Sequence, residues 1–180
     1  MGDKDKMIFQ TGDIIGYKPK ATSSLLAFLI KIGARQRYSH VMIWLGDNSI
    51  VEAGSKGIAV RYWTSEYLND EQFKVMRCNQ DLTEREKLNI RQATNALIGV
   101  PYSFHGGVLL GLYKWFGNWK WFRKFFNKLK QTDEDCHINC SEFVSRVYDT
   151  ALGIDLSPEN HDLTSPDDVI KSKYLRRVYP

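Results

Sequence analysis

The sequence predicts an α+β domain, and three observations carry that expectation. Between residues 39 and 62, three short β-branched and aromatic segments follow one another across tight turns, the pattern of an antiparallel meander. Further along, two segments that open on a capping box carry the apolar spacing of amphipathic helices. A length of 180 residues, 43% hydrophobic and 26% charged, suits one domain with a core of its own and excludes a disordered chain.

In order, Thr11-Gly12-Asp13 is a turn into a short apolar strand at Ile14 and Ile15. Ser23 or Ser24 caps an expected helix from Leu25 to Ile32, which Gly33 closes. Ser39 to Leu45, Ser49 to Ala53 and Gly57 to Tyr62 form the meander, with Gly46-Asp47-Asn48 as its first turn, and Phe73 to Cys78 is a further strand. Thr83 caps the next helix, Glu86 completes its capping box, and the helix stops at Gly99 before Pro101. Asn139 as N-cap and Glu142 at the third helical position start another, from Cys140 to about Leu152. Its stripe is Phe143, Val144, Val147, Tyr148 and Ala151, and Gly153 ends it. Ser165-Pro166 opens a short last helix, and Leu175 to Tyr179 is a terminal strand.

The net charge of +4 is not spread evenly. Six basic and no acidic residues fall between Phe104 and Lys130, so the basic excess belongs to that segment. Three cysteines, Cys78, Cys136 and Cys140, are too few and odd in number for a disulfide framework, so reduced thiols are expected. The longest apolar run is six residues, Leu25 to Ile30, far short of a bilayer span. The first ten residues lack the apolar core of a secretory signal, so the expected location is cytoplasmic or peripheral to a membrane. A secreted form whose signal had been removed would read the same way.

A thiol is a good nucleophile only as thiolate, which a helix N-terminus and a nearby imidazole both favour. Cys140 has the first by position. His40 begins the first meander strand, and Glu52 is an ionisable residue between Val51 and Ala53 on the next. A five-residue loop from Leu45 to Ser49 sets Glu52 opposite Met42, one diagonal step from His40 on the same face. There a carboxylate would hold the imidazole in one tautomer and favour its cation.

These residues carry a family resemblance. Ser39-His-Val-Met-Ile-Trp-Leu-Gly resembles the "SHVGIYLG" strand of NlpC-type papain-like cysteine peptidases, whose catalytic His is followed 12 positions later by a polar orienting residue, here Glu52. Gly99-Val-Pro-Tyr-Ser-Phe-His-Gly-Gly and Asn139-Cys-Ser-Glu-Phe-Val are similar to the family's "GxPYxxGG" and "DCSGLV" blocks. His and Glu precede Cys, as in the circularly permuted branch that includes YiiX-like proteins and is related to lecithin:retinol acyltransferases. The resemblance implies a permuted papain-like fold, a small antiparallel sheet or partial barrel with the nucleophile helix packed on it. It implies a cysteine hydrolase of peptidase or amidase type, with Cys140 as nucleophile, His40 as base and Glu52 orienting it, working through a thioester. Tyr102 matches the tyrosine beside the nucleophile; Asn139 and His105 join it as oxyanion or substrate-binding candidates. No cofactor and no metal are implied. Asn139 and Glu142 stand where the family has Asp and Gly, and one extra residue separates Tyr102 from Gly106-Gly107.

The larger departure is an insertion at about residues 108–138, in one domain spanning 1–180. Trp115, Trp119, Phe122, Phe126 and Leu129 recur at helical spacing, while Trp121 and Phe125 fall off that stripe. Two readings stand open, a helix packed on the domain or a lid or interfacial helix. In the second, Trp115, Trp119, Lys120, Trp121, Arg123 and Lys124 make a peripheral membrane contact and the substrate is a peptide, an amino-acid amide or a lipid-like molecule. Nucleic acid is not expected as a partner. A lipid acyltransferase or thioesterase, a non-catalytic membrane-surface module, and a zinc module built on Cys136, His137 and Cys140 are the alternatives.

Overall fold

The computed structural model describes residues 9–18, 37–63, 72–102, 138–157 and 164–179. Its strands are β1 (Ile14–Tyr17), β2 (His40–Gly46), β3 (Ser49–Gly54), β4 (Gly57–Tyr62), β5 (Phe73–Cys78) and β6 (Leu175–Tyr179). The helices are α1 (Glu84–Leu97), α2 (Cys140–Leu152) and α3 (Pro166–Ile170). The expected helix from Leu25 to Ile32 and nearly all of the segment 108–138 lie outside the described residues.

All six strands join one antiparallel sheet in the order β4-β3-β2-β1-β5-β6. Among the described residues β4 and β6 lie at opposite ends and do not pair with each other, so of the two expected forms the sheet is the open antiparallel one and not the partial barrel. Both faces of the sheet bury apolar side chains. Alternation sends Ile14, Val41, Ile43, Val51 and Ile58 to one face, where they pack with Phe143, Val144 and Val147 of α2. The residues between them, Ile15, Met42, Trp44, Ile50 and Val75, meet Trp63 and Phe73 in a second cluster. Phe9 stacks on Trp44 there, ring centroids 4.2 Å apart. β2 is therefore nearly continuous in hydrophobicity, as suits a strand covered on both sides.

Helix α2 ends where its sequence says it should. Asn139 is extended (φ −86°, ψ 169°), its side chain accepts from the Glu142 N–H, and Gly153 closes the helix in the left-handed region at φ 65°. The Tyr148 hydroxyl donates to the Gly12 carbonyl, tying the middle of the helix to the turn before β1. Asp13 is almost fully buried, and Arg77 of β5 meets both of its oxygens, at 2.8 and 2.7 Å. A buried carboxylate held bidentately avoids the desolvation cost of an unpaired charge.

Two contacts set the approaches to the site. Asp167 of α3 accepts the N–H groups of Arg37 and Tyr38, both at 2.8 Å, and so fixes the chain entering β2 at His40. Gly57 has φ 92°, and a Cβ there would stand 2.7 Å from the Val100 carbonyl oxygen, so only glycine lets the β3–β4 turn touch the segment after α1. Across that contact the Ile58 N–H donates to the Val100 carbonyl at 2.9 Å. Next along, the Ile138 N–H donates to the Pro101 carbonyl at 3.0 Å, which delivers the chain to Cys140.

Candidate active site

The side on which Glu52 stands depends on one irregular residue. Asp47 and Asn48 both have positive φ (49° and 54°), forming a two-residue turn that pairs Gly46 with Ser49. Continued without interruption, that register would place Glu52 opposite Ile43, on the face packed by α2. The register shifts between Trp44 and Gly46, and beyond the bulge Met42 faces Glu52. The five-residue loop expected from the sequence is thus a tighter turn plus a bulge, with the same result for Glu52. His40 lies one diagonal step away, and its Nε2 is 2.8 Å from Glu52 Oε2.

Cys140 arrives from across the chain, at the first position of α2. It is buried, and its sulfur accepts hydrogen bonds from the His40 ring and from the backbone N–H groups of Val41 and Ser141. The imidazole thus bonds both the thiol and the Glu52 carboxylate.

Burial by itself pushes the Cys140 thiol up, but the His40 charge and hydrogen bond, with the two backbone N–H groups, bring it below its ordinary value. Burial likewise opposes charge on His40; the charge and hydrogen bond of Cys140, followed by those of Glu52, outweigh it and raise the imidazole to about 10. Glu52 is lowered, first by its bond to His40, against burial and with help from Arg61. All three shifts favour the charged form of their group: thiolate for Cys140, imidazolium for His40 and carboxylate for Glu52.

Tyr102 forms a parallel bridge with Ile138, which sets it beside the start of α2. Burial and the neighbouring Cys140 charge hold its phenol protonated well above the usual range, so it is a donor. The Cys140 N–H, in the first turn of α2, has no carbonyl of its own helix to bond. Asn139 serves the cap: its Oδ1 accepts from Glu142 N–H at 2.9 Å, and Glu142 in turn meets Arg146 at 2.7 Å. What Asn139 supplies to the site is the position of Cys140. His105, Trp115, Trp119, Lys120, Trp121, Arg123, Lys124, Cys136 and His137 all lie outside the described residues.

One residue near the site was not among the sequence candidates. Arg61 of β4 forms an ion pair through Nε with Glu52 Oε1. The signal was present in the register: the tight Ser55-Lys56 turn pairs Gly54 with Gly57 and Glu52 with Ala59, which puts Arg61 one diagonal step from Glu52.

Fold and site together define an α+β protein in which a buried, helix-borne thiol meets a histidine and a carboxylate on an open antiparallel sheet. The fold is similar to that in the crystal structure of metalloprotein yiiX from Escherichia coli O157:H7, with a TM-score of 0.62 over 94% of this chain and 96% of that one. Sequence identity is 20%, so the likeness concerns the fold. No family model matches the sequence, and no curated protein matches it. The neighbour's description as a metalloprotein can be set against the residues here. Among the described residues no three of His, Cys, Asp and Glu are grouped to hold a metal ion. No helix of the described residues is long and apolar enough to cross a membrane.

Proposed function

We propose that this chain is a cysteine hydrolase of the peptidase or amidase type, built on the circularly permuted papain-like plan. The observation that carries the reading is the hydrogen-bonded row Cys140, His40, Glu52, with the sulfur at a helix start. In this reaction the Cys140 thiolate attacks a carbonyl carbon, forming a C–S bond as the carbonyl electron pair moves onto oxygen. The oxyanion accepts hydrogen bonds from the Cys140 N–H and the Tyr102 hydroxyl, each such donor contributing about 3 kcal/mol. Collapse expels the amine, which takes the proton that His40 held toward the sulfur. Water then attacks the thioester while His40 accepts its proton, and thiolate and carboxylic acid leave. Glu52 keeps the ring oriented throughout.

A p-nitrophenyl ester of an N-acyl amino acid tests this directly. The expected result is a burst of p-nitrophenol stoichiometric with protein, and a mass gain of one acyl group on the peptide containing Cys140. Both should vanish in Cys140→Ala; equal release by that variant would end the proposal.

The aromatic and basic composition of the segment 108–138 supports a lipophilic or membrane-presented acyl substrate. Co-sedimentation with liposomes should rise with the anionic lipid fraction and fall with salt. Binding absent at every composition would remove the membrane from this account while leaving the acyl chemistry standing.

A further inference from the structure

We propose that Arg61 is a positioning residue for the Cys140–His40–Glu52 row, holding the Glu52 carboxylate so that Oε2 stays on the imidazole. The inference rests on the cysteine-hydrolase reading and adds a residue to it. Met42 faces Glu52 across β2 and β3, and Glu52 faces Ala59 across β3 and β4. His40 and Arg61 are therefore the diagonal neighbours of Glu52 on its two flanking strands, on the same face and at opposite ends. Each takes a different oxygen: Nε2 of His40 meets Oε2 at 2.8 Å, and Nε of Arg61 meets Oε1.

The terminal torsion of a glutamate is broad and roughly two-fold, so a carboxylate bonded at one oxygen can swing out of line. Bonded at both, it has a fixed plane. The planar guanidinium is also permanently charged, which keeps Glu52 an acceptor when His40 passes its proton to a leaving group. The side chain of Arg61 is 52% exposed while that of Glu52 is 19% exposed. A half-exposed ion pair contributes little to global stability, so a role in folding is a poor account of this contact. Beside the thiol and imidazole, the titratable or charged groups that act on the row are Tyr102, from the segment after α1, Glu52 on β3 and Arg61 on β4.

The test is the rate of iodoacetamide alkylation of Cys140, resolved from Cys78 and Cys136 by peptide mass, between pH 5 and 9. Wild type, Glu52→Gln, Arg61→Ala, Arg61→Lys and the double variant of Glu52→Gln with Arg61→Ala are compared. Arg61→Ala should slow the reaction at pH 6 by about two- to fivefold and move the ionisation midpoint upward, with the urea midpoint of the protein unchanged. Arg61→Lys should restore part of the loss, and Arg61→Ala should add nothing once Glu52 is Gln. An Arg61→Ala profile that superimposes on wild type, or an equal loss in the Glu52→Gln background, overturns the positioning role. If Cys140 of the wild type reacts no faster than free cysteine, the hydrolase reading falls and this inference with it. If Glu52→Gln moves the profile and Arg61→Ala does not, only the inference fails.

Discussion

His40→Ala is expected to slow alkylation of Cys140 at pH 6 by one to two orders of magnitude, roughly 10- to 100-fold. In the wild type the thiol is lowered by the His40 charge and hydrogen bond against the opposing effect of burial. The thiolate is therefore present above that lowered value and is lost as pH falls through it. The imidazolium that stabilises it persists until pH rises through about 10. Between those limits the wild-type rate should be nearly flat. Without the imidazole, burial is opposed only by the N–H groups of Val41 and Ser141. An ordinary thiol with a pKa near 8.5 is ionised to about 0.3% at pH 6, and the greater nucleophilicity of a more basic thiolate recovers part of the difference. The variant's rate should instead climb through pH 8 to 9. Stopped-time alkylation with peptide mass readout measures both curves, and a wild-type rate that rises like that of free cysteine would contradict the ion pair.

Phe143→Ala is expected to destabilise the fold by about 3–5 kcal/mol. Phe143 is fully buried, in the same cluster as Cys140 and the sheet residues Val41, Ile43 and Val51. Removing the ring forfeits its transfer free energy and leaves a space between α2 and strands paired on both sides, which cannot close over it. Equilibrium urea denaturation should show a lower midpoint at nearly constant slope. A loss under 1 kcal/mol would mean that the packing of α2 on the sheet is far softer than its burial indicates.

The parts of the fold readable from sequence were those written in local chemistry. The expected capping boxes at Thr83 and Asn139 both form, because each depends on residues three positions apart, and Ser165, expected only to open a helix with Pro166 at its first position, forms one too. Alternation marked β2 and β3, and the opposition of Met42 and Glu52 followed from the expected loop. The bulge before Gly46 was not visible, because no residue type near Leu45 demands it. The choice between an open sheet and a partial barrel was not legible either, since a second core on the far face is a property of tertiary packing. Arg61 escaped notice because an exposed arginine on an edge strand looks like an ordinary solvated charge until the register of two hairpins is combined.

The bridge between Tyr102 and Ile138, with the Ile138 N–H on the Pro101 carbonyl at 3.0 Å, closes the neck of the intervening segment, residues 103–137. Tyr102 and Ile138 thus meet two residues before Cys140, at the start of α2. Doubling the length of such a loop costs only about 0.6 kcal/mol in closure entropy. A change in the number of residues between Tyr102 and Ile138 is therefore compatible, on closure entropy alone, with the same pairing at the start of α2.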